Sequence, residues 1–147
     1  MTVQITSDDY FTGPGKVRRD LAYPDDMSAE IRNNAAELVS KVNLLLFSMA
    51  QDGVPLKVDP TTGSLSHSGW RPPAVNAATK GAAKKSNHMV GLADDLFDPD
   101  GALDAWCLTN LHVLEEIGLW LEHPDATPGW CHVQIRPPRS GSRVFQP

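Results

Sequence analysis

Ser86-Asn87-His88-Met89-Val90-Gly91-Leu92-Ala93-Asp94-Asp95 is the stretch on which the reading of this chain turns. Its second half, with Leu96 and Phe97, carries a strand signal. On an extended chain successive side chains point to opposite faces, so Ala93 and Asp95 share one face and Asp94 takes the other. Gly91 can adopt backbone angles that other residues avoid, which lets His88 fold back toward Asp95. Ala93 keeps that face uncrowded. Another segment, Trp130-Cys131-His132-Val133-Gln134, also reads as a strand and ends at Pro137-Pro138. It sets His132 and Gln134 on one face and turns Cys131 away from it.

Neutral imidazoles and a carboxylate are favoured zinc ligands. Two histidines and one acid leave the fourth tetrahedral position to water, the open arrangement of catalytic zinc sites, whereas a sealed structural site uses four protein ligands. Taken singly, a histidine on a strand is more often a surface or hydrogen-bonded residue than a ligand, and Asp95 alone reads as a turn acid. The full pattern, Ser-x-His-x-x-Gly-x-Ala-x-Asp followed by Trp-x-His on a second strand, is far more restrictive.

That pattern, with Ser68-Gly69-Trp70-Arg71 upstream, resembles the zinc D-Ala-D-Ala carboxypeptidase/endopeptidase group of cell-wall metallopeptidases, relatives of the hedgehog zinc fold. The likeness runs from Ser68 to Arg136, and the Ser86–Asp95 motif matches at every fixed position. The resemblance implies that His88, Asp95 and His132 hold one zinc ion per chain. It also implies an antiparallel sheet backed by helices, with the site on the sheet, and hydrolysis of amide bonds in peptidoglycan stem peptides or cross-links. Arg71 would stabilise developing negative charge or hold a substrate carboxylate, a task suited to a planar guanidinium. Ser86 and Gln134 are further substrate-binding candidates; Ser86 reads equally as a turn hydroxyl, and Gln134 as a residue behind a ligand or on a cleft wall.

One position departs from the family. Many relatives carry a carboxylate three residues before the last zinc histidine, and Gly129 stands there in this chain. The nearest substitutes for a general base are Glu122, then Asp125, in a loop leading into the ligand strand, with His123 beside them as a candidate proton donor. A chain without a base would be a degenerate zinc-containing module that binds peptidoglycan, or a virion structural part, and cuts nothing.

Outside these segments, residues 1–26 are polar and broken by Gly13, Pro14, Gly15 and Pro24, which suggests an irregular arm before a single domain over 27–147. Ile31, Ala35, Leu38, Val39, Val42, Leu45, Leu46 and Met49 recur at helical steps after Asp26 or Ser28 as a cap, and Gly53 closes that helix. Leu56 and Val58 alternate like a short strand before a Pro60–Gly63 turn, and Ala74 to Ala83 suggests a short helix. Leu103, Trp106, Cys107, Leu111, Leu114 and Ile117 mark a later helix, with Asp100 as its cap and Gly118 as its stop. Helices and strands mix without regular alternation, so the expected class is α+β.

The 147 residues carry 13 Lys+Arg against 18 Asp+Glu, a net charge of −5. An acidic chain without a basic block or interleaved aromatics is a poor nucleic-acid binder. Lys80, Lys84 and Lys85 form its one modest basic cluster, read as a solvated loop or a contact to anionic wall polymer. Two cysteines exclude a disulfide scaffold, and both read as small buried hydrophobes. His67, beside Ser68–Arg71, is a candidate for the cleft lining, while His112 reads as structural or exposed. Trp70 and Trp130 flank the expected site. The apolar run from Val42 to Met49 is too short to span a bilayer, and no export signal is visible. For a wall hydrolase these features suggest synthesis in the cytoplasm and release in phage lysis, or carriage on a virion, with peptidoglycan peptide as partner alongside other phage proteins.

Overall fold

The computed structural model describes residues 4–147. In chain order the elements are α1 (Ser7–Phe11), β1 (Thr12–Gly13), β2 (Val17–Arg18), α2 (Arg19–Ala22), α3 (Ala29–Gln51), β3 (Ser66–Ser68), α4 (Pro73–Ala78), β4 (Ala93–Asp98), α5 (Ala102–Thr109), α6 (Leu111–Ile117), β5 (Trp120–Glu122), β6 (Gly129–Gln134) and β7 (Val144–Phe145). The class is α+β. Five strands form the main sheet in the order β3-β4-β6-β5-β7, and β1 pairs with β2 in a separate hairpin. The main sheet is mixed rather than wholly antiparallel, because β7 runs parallel to β5. β6 ends at Gln134, ahead of Pro137 and Pro138, and the chain then turns at Arg139–Ser140 and returns along the far edge of β5.

The helix α3 forms for the reasons its sequence offers. Ser28 Oγ accepts the Ile31 N–H, which satisfies one of the amides left open at the helix start. The apolar stripe Ala35, Leu38, Val39, Val42, Leu45, Leu46 and Met49 is buried against the rest of the core. Each fully buried large aliphatic side chain contributes about 1.5–3 kcal/mol, so this stripe is a principal stabiliser of the fold.

Several expectations are corrected. Of the segment read as an arm, residues 1–3 lie outside the described residues and the rest is folded: Thr6 and Asp9 form a capping box that starts α1, and Ile5, Tyr10 and Phe11 enter the same core cluster as α3. A helix of five residues is too short to display periodicity, which is why the sequence hid it. Leu56 and Val58 form no strand. Pro55 and Pro60 lack the amide donors a ladder needs, and only a bridge between Asp59 and Ser64 closes the turn before β3. The helix expected after Gly101 breaks at Asn110 into α5 and α6, and its start is held by Asp98 more than by Asp100. Asp98 accepts the amides of Leu103 and Asp104 at 2.9 and 3.0 Å. Leu121 and Glu122, read as part of the loop before the ligand strand, belong to the strand β5.

Candidate metal centre

The register of the central strand pair brings two of the expected ligands together. Asp95 on β4 lies directly opposite His132 on β6. His88 arrives from a 3-10 turn, Asn87–Val90, in which its own N–H donates to the capping Ser86 Oγ at 3.2 Å. Gly91 then reverses the chain in the left-handed region at φ 77°, and a Cβ there would lie 2.8 Å from the Ile31 carbonyl oxygen of α3. Only glycine meets both demands. The alternation expected along β4 holds: Asp94 turns away from the cluster and accepts a 2.6 Å hydrogen bond from Ser66 Oγ. Burial pushes the Asp94 carboxyl up to about 7. The Tyr10 hydroxyl donates to the Ala93 carbonyl at 2.9 Å and pins the backbone beside Asp95.

His88, Asp95 and His132 form one buried group, with an atom of each within 4.8 Å of the others, and this group can hold a metal ion. His88 Nε2 lies 3.3 Å from Asp95 Oδ2, and His132 Nδ1 lies 2.9 Å from Asp95 Oδ1. The outer nitrogens decide the tautomers. His88 Nδ1 is 2.8 Å from the Gly69 carbonyl oxygen, which can only accept, so Nδ1 carries the hydrogen and Nε2 presents a lone pair. Gln134 uses its side-chain amide to donate to the Arg136 carbonyl at 2.7 Å, which turns its oxygen toward His132 Nε2 at 2.9 Å. His132 therefore donates from Nε2 and presents Nδ1 inward.

Two ring nitrogens thus face one carboxylate while their N–H groups rest on neutral oxygens. This is the arrangement that orients histidine ligands around a cation. The electrostatics agree. Burial disfavours charge on His88 and lowers its pKa, leaving an unprotonated Nε2 against an anionic oxygen. Burial opposes ionisation of Asp95 as well, but the two imidazoles hold its carboxyl far below the usual range. At His132 the same carboxylate outweighs burial and raises the pKa to about 9. A cation between the three resolves the lone-pair conflict at His88 and replaces the extra proton at His132. The donor set fits a divalent metal.

The segment Ser68–Arg71 is bound to the His88 turn by backbone geometry. Arg71 N–H donates to the His88 carbonyl at 3.0 Å, and Trp70 Nε1–H donates to the Met89 carbonyl at 2.9 Å. Trp70 is a core residue, whereas Trp130 lines a cavity of about 460 Å³ that opens over the cluster. Arg71 reaches the same cavity and donates from Nη2 to Ser86 Oγ at 3.2 Å. Its buried Nε has no hydrogen-bond partner among the described residues. Ser86 also lines the cavity and links Arg71 to the His88 turn.

Of the two carboxylates expected as general base, the structure brings one to the site. Glu122 lines the cavity, and the register that pairs Trp120 with Gln134 and Leu121 with Val133 carries Glu122 toward His132. Burial raises its pKa, while His132 and Arg71 oppose the rise. The Asp125 side chain is 90% exposed, sits beside His123 and does not line the cavity. His123 accepts the Asp125 amide and is likewise outside the cavity. Of the readings open for Gln134, the structure shows the residue behind His132 and not the substrate contact: it is buried, outside the cavity lining, with both ends of its side-chain amide engaged. Gly129, at φ 96° with open space around it, offers no side chain three residues before His132. Lys80 lies on the cavity rim and His112 is exposed.

The sequence reading missed Arg19. This buried guanidinium lines the cavity and donates from Nη1 to Ser68 Oγ and to the Trp70 carbonyl at 3.1 and 2.9 Å. It packs against Gly13 so closely that a Cβ there would lie 2.4 Å from its Nε. Neither Arg19 nor Arg71 makes an ion pair among the described residues, so two arginines face the cavity without a carboxylate of their own. No local signal marks Arg19, because its role depends on α2 docking beside β3. Comparison with known protein families, with curated proteins and with solved structures finds no match.

Proposed function

We propose that this chain is a zinc-dependent peptidase that hydrolyses amide bonds in peptidoglycan stem peptides or cross-links. The observation that carries the proposal is the buried His88–Asp95–His132 group, its outer N–H groups tied to carbonyl oxygens, opening onto a cavity that also holds Glu122 and Arg71. The choice of metal rests on the ligand types, and the choice of substrate rests on the resemblance of Ser68–Arg71, Ser86–Asp95 and Trp130–His132 to the cell-wall peptidases. Action on the wall during phage lysis or entry goes with the same reading.

Zinc held there would polarise a scissile carbonyl and lower the pKa of a water molecule. The chain's own residues have separate tasks. Glu122, at the cavity wall beside His132, accepts a proton from the attacking water. Arg71 and Arg19 supply positive charge where the carbonyl oxygen becomes negative or where a substrate carboxylate lies. Trp130 gives the cavity an apolar wall. Gly69 and Gln134 hold the two imidazoles in their tautomers.

The test is release of new amino groups from purified peptidoglycan, with and without a chelator. Release by the parent that stops with chelator and is absent from a His88→Ala, His132→Ala double variant is expected. Equal release by parent and double variant rejects the peptidase. Bound zinc with no release at all favours the degenerate wall-binding module instead.

A further inference from the structure

The cavity over the cluster is also lined by a histidine that the mechanism above does not use. His67 sits in the middle of β3, where the register with β4 slips: Ser66 pairs with Leu96 and Ser68 with Asp95, so β3 has one residue more than its partner. Such a bulge re-aims a side chain, and His67 and Ser68 both line the cavity. The ring is held on two sides. Its face stacks on Trp130 with centroids 5.7 Å apart and planes 8° from parallel. Its Nδ1 lies 2.6 Å from Asp59 Oδ2.

Asp59 is built to be an anion. Its side chain is almost wholly buried, and its other oxygen accepts both the amide and the hydroxyl of Thr61 at 2.8 and 2.7 Å. A carboxylate on Nδ1 fixes the N–H at that nitrogen and leaves Nε2 as the end of the ring without a protein partner among the described residues. An acid that orients a histidine from behind, with the far nitrogen turned to a reaction space, is a proton-transfer pair. The cluster's own imidazoles cannot fill that role, because their inward nitrogens face Asp95 and would hold the metal ion.

We propose that His67, positioned by Asp59, is the general acid that protonates the leaving amine. The inference rests on the peptidase reading above. The oxygen of water forms the new C–O bond and gives one proton to Glu122. The C–N bond breaks with its electron pair on nitrogen, and that nitrogen takes the Nε2 proton of the His67 imidazolium, which is left as the neutral Nδ1–H ring. The acid product loses its remaining proton to solvent, and the proton on Glu122 returns through solvent to His67.

The decisive comparison uses the bond that the parent protein cuts in a stem pentapeptide, and the same compound with that bond remade as a thioester. A thiolate departs without protonation, whereas an amine does not. His67→Gln is expected to lower kcat/KM about 10²–10⁴-fold on the amide and less than about tenfold on the thioester, with zinc content unchanged. Asp59→Asn should show the same selectivity at smaller size, and Asp59→Glu should recover part of it. Nitrogen NMR of the His67 ring supplies a readout independent of turnover: the Nδ1–H tautomer is expected in the neutral ring of the parent and its loss in Asp59→Asn. Equal losses on both compounds, no loss on the amide, or an Nε2–H tautomer in the parent overturns the assignment while leaving the peptidase standing. A zinc-loaded parent that cuts neither compound overturns the peptidase reading and the donor with it.

Discussion

His132 donates its Nε2–H to the side-chain oxygen of Gln134, 2.9 Å away, and Gln134 is itself fixed by a 2.7 Å bond to the Arg136 carbonyl. The consequence is that a residue outside the cavity lining sets which imidazole nitrogen would meet a metal ion. Gln134→Leu keeps the volume and removes the acceptor. Metal affinity, measured by competition with a chromogenic chelator, should fall about 10–100-fold. Asp95→Ala, which removes a ligand, should fall further. A Gln134→Leu protein that holds zinc as tightly as the parent contradicts the tautomer assignment.

Glu122 and Asp125 lie close in sequence yet differ in place, one on the cavity wall and one in solvent. Glu122→Gln should lower kcat about 10²–10⁴-fold with metal content intact. Asp125→Asn should stay within about twofold of the parent. Steady-state kinetics on a defined stem peptide separates the two, and the opposite ranking would move the base to the exposed loop.

Gly91 and Gly101 form a matched pair for testing the turn behind His88. Both have left-handed backbone, at φ 77° and 75°, but a Cβ at Gly91 would meet the Ile31 oxygen at 2.8 Å while one at Gly101 meets nothing within 4 Å. Gly101→Ala should cost about 1–2 kcal/mol from conformation alone. Gly91→Ala carries the same cost plus the clash, and urea titration should show it to be the more destabilising of the two. It should also weaken metal binding, since α3 must move or the turn must open.

Asp104 makes stability depend on pH. Burial raises its pKa from 3.8 to about 7, against a weaker opposing contribution from Cys131. The folded chain therefore keeps a proton that the unfolded chain has released, and stability is full below about pH 4, declines as pH rises toward about 7, and then levels. Asp94 acts in the same direction. In Asp104→Asn that share of the slope disappears. Thermal scans should find the Tm gap between pH 5 and pH 8 narrower in the variant by the equivalent of about 1–4 kcal/mol. An unchanged gap would mean that Asp104 is ionised in the folded protein.

Much of the centre is legible along the chain. Alternation on an extended segment assigns Asp95 to one face and Asp94 to the other, and the structure keeps that division. The reversal at Gly91 follows from the backbone freedom of glycine, and the apolar spacing of α3 predicts its buried face. The elements missed are the short ones. Ser7–Phe11 and Trp120–Glu122 span too few residues for a helical or strand period to register, and both are held by contacts distant in sequence.

The sequence by itself determined the chemistry available: two imidazoles and a carboxylate in an open ligand set, with an arginine and a serine nearby. The donor types follow from the residues themselves, and the faces of Asp95 and His132 from alternation along short segments; that the three form one ligand set, with Arg71 and Ser86 beside it, is what the resemblance implies. Only the tertiary structure decided which further groups share the cavity. Glu122 arrives through the pairing of β5 with β6, His67 through a one-residue slip between β3 and β4, and Arg19 through the docking of α2 beside Gly13. Each depends on hydrogen-bond register and packing between segments far apart in the chain. A one-residue change of register turns a side chain to the other face, so no local pattern can specify these placements.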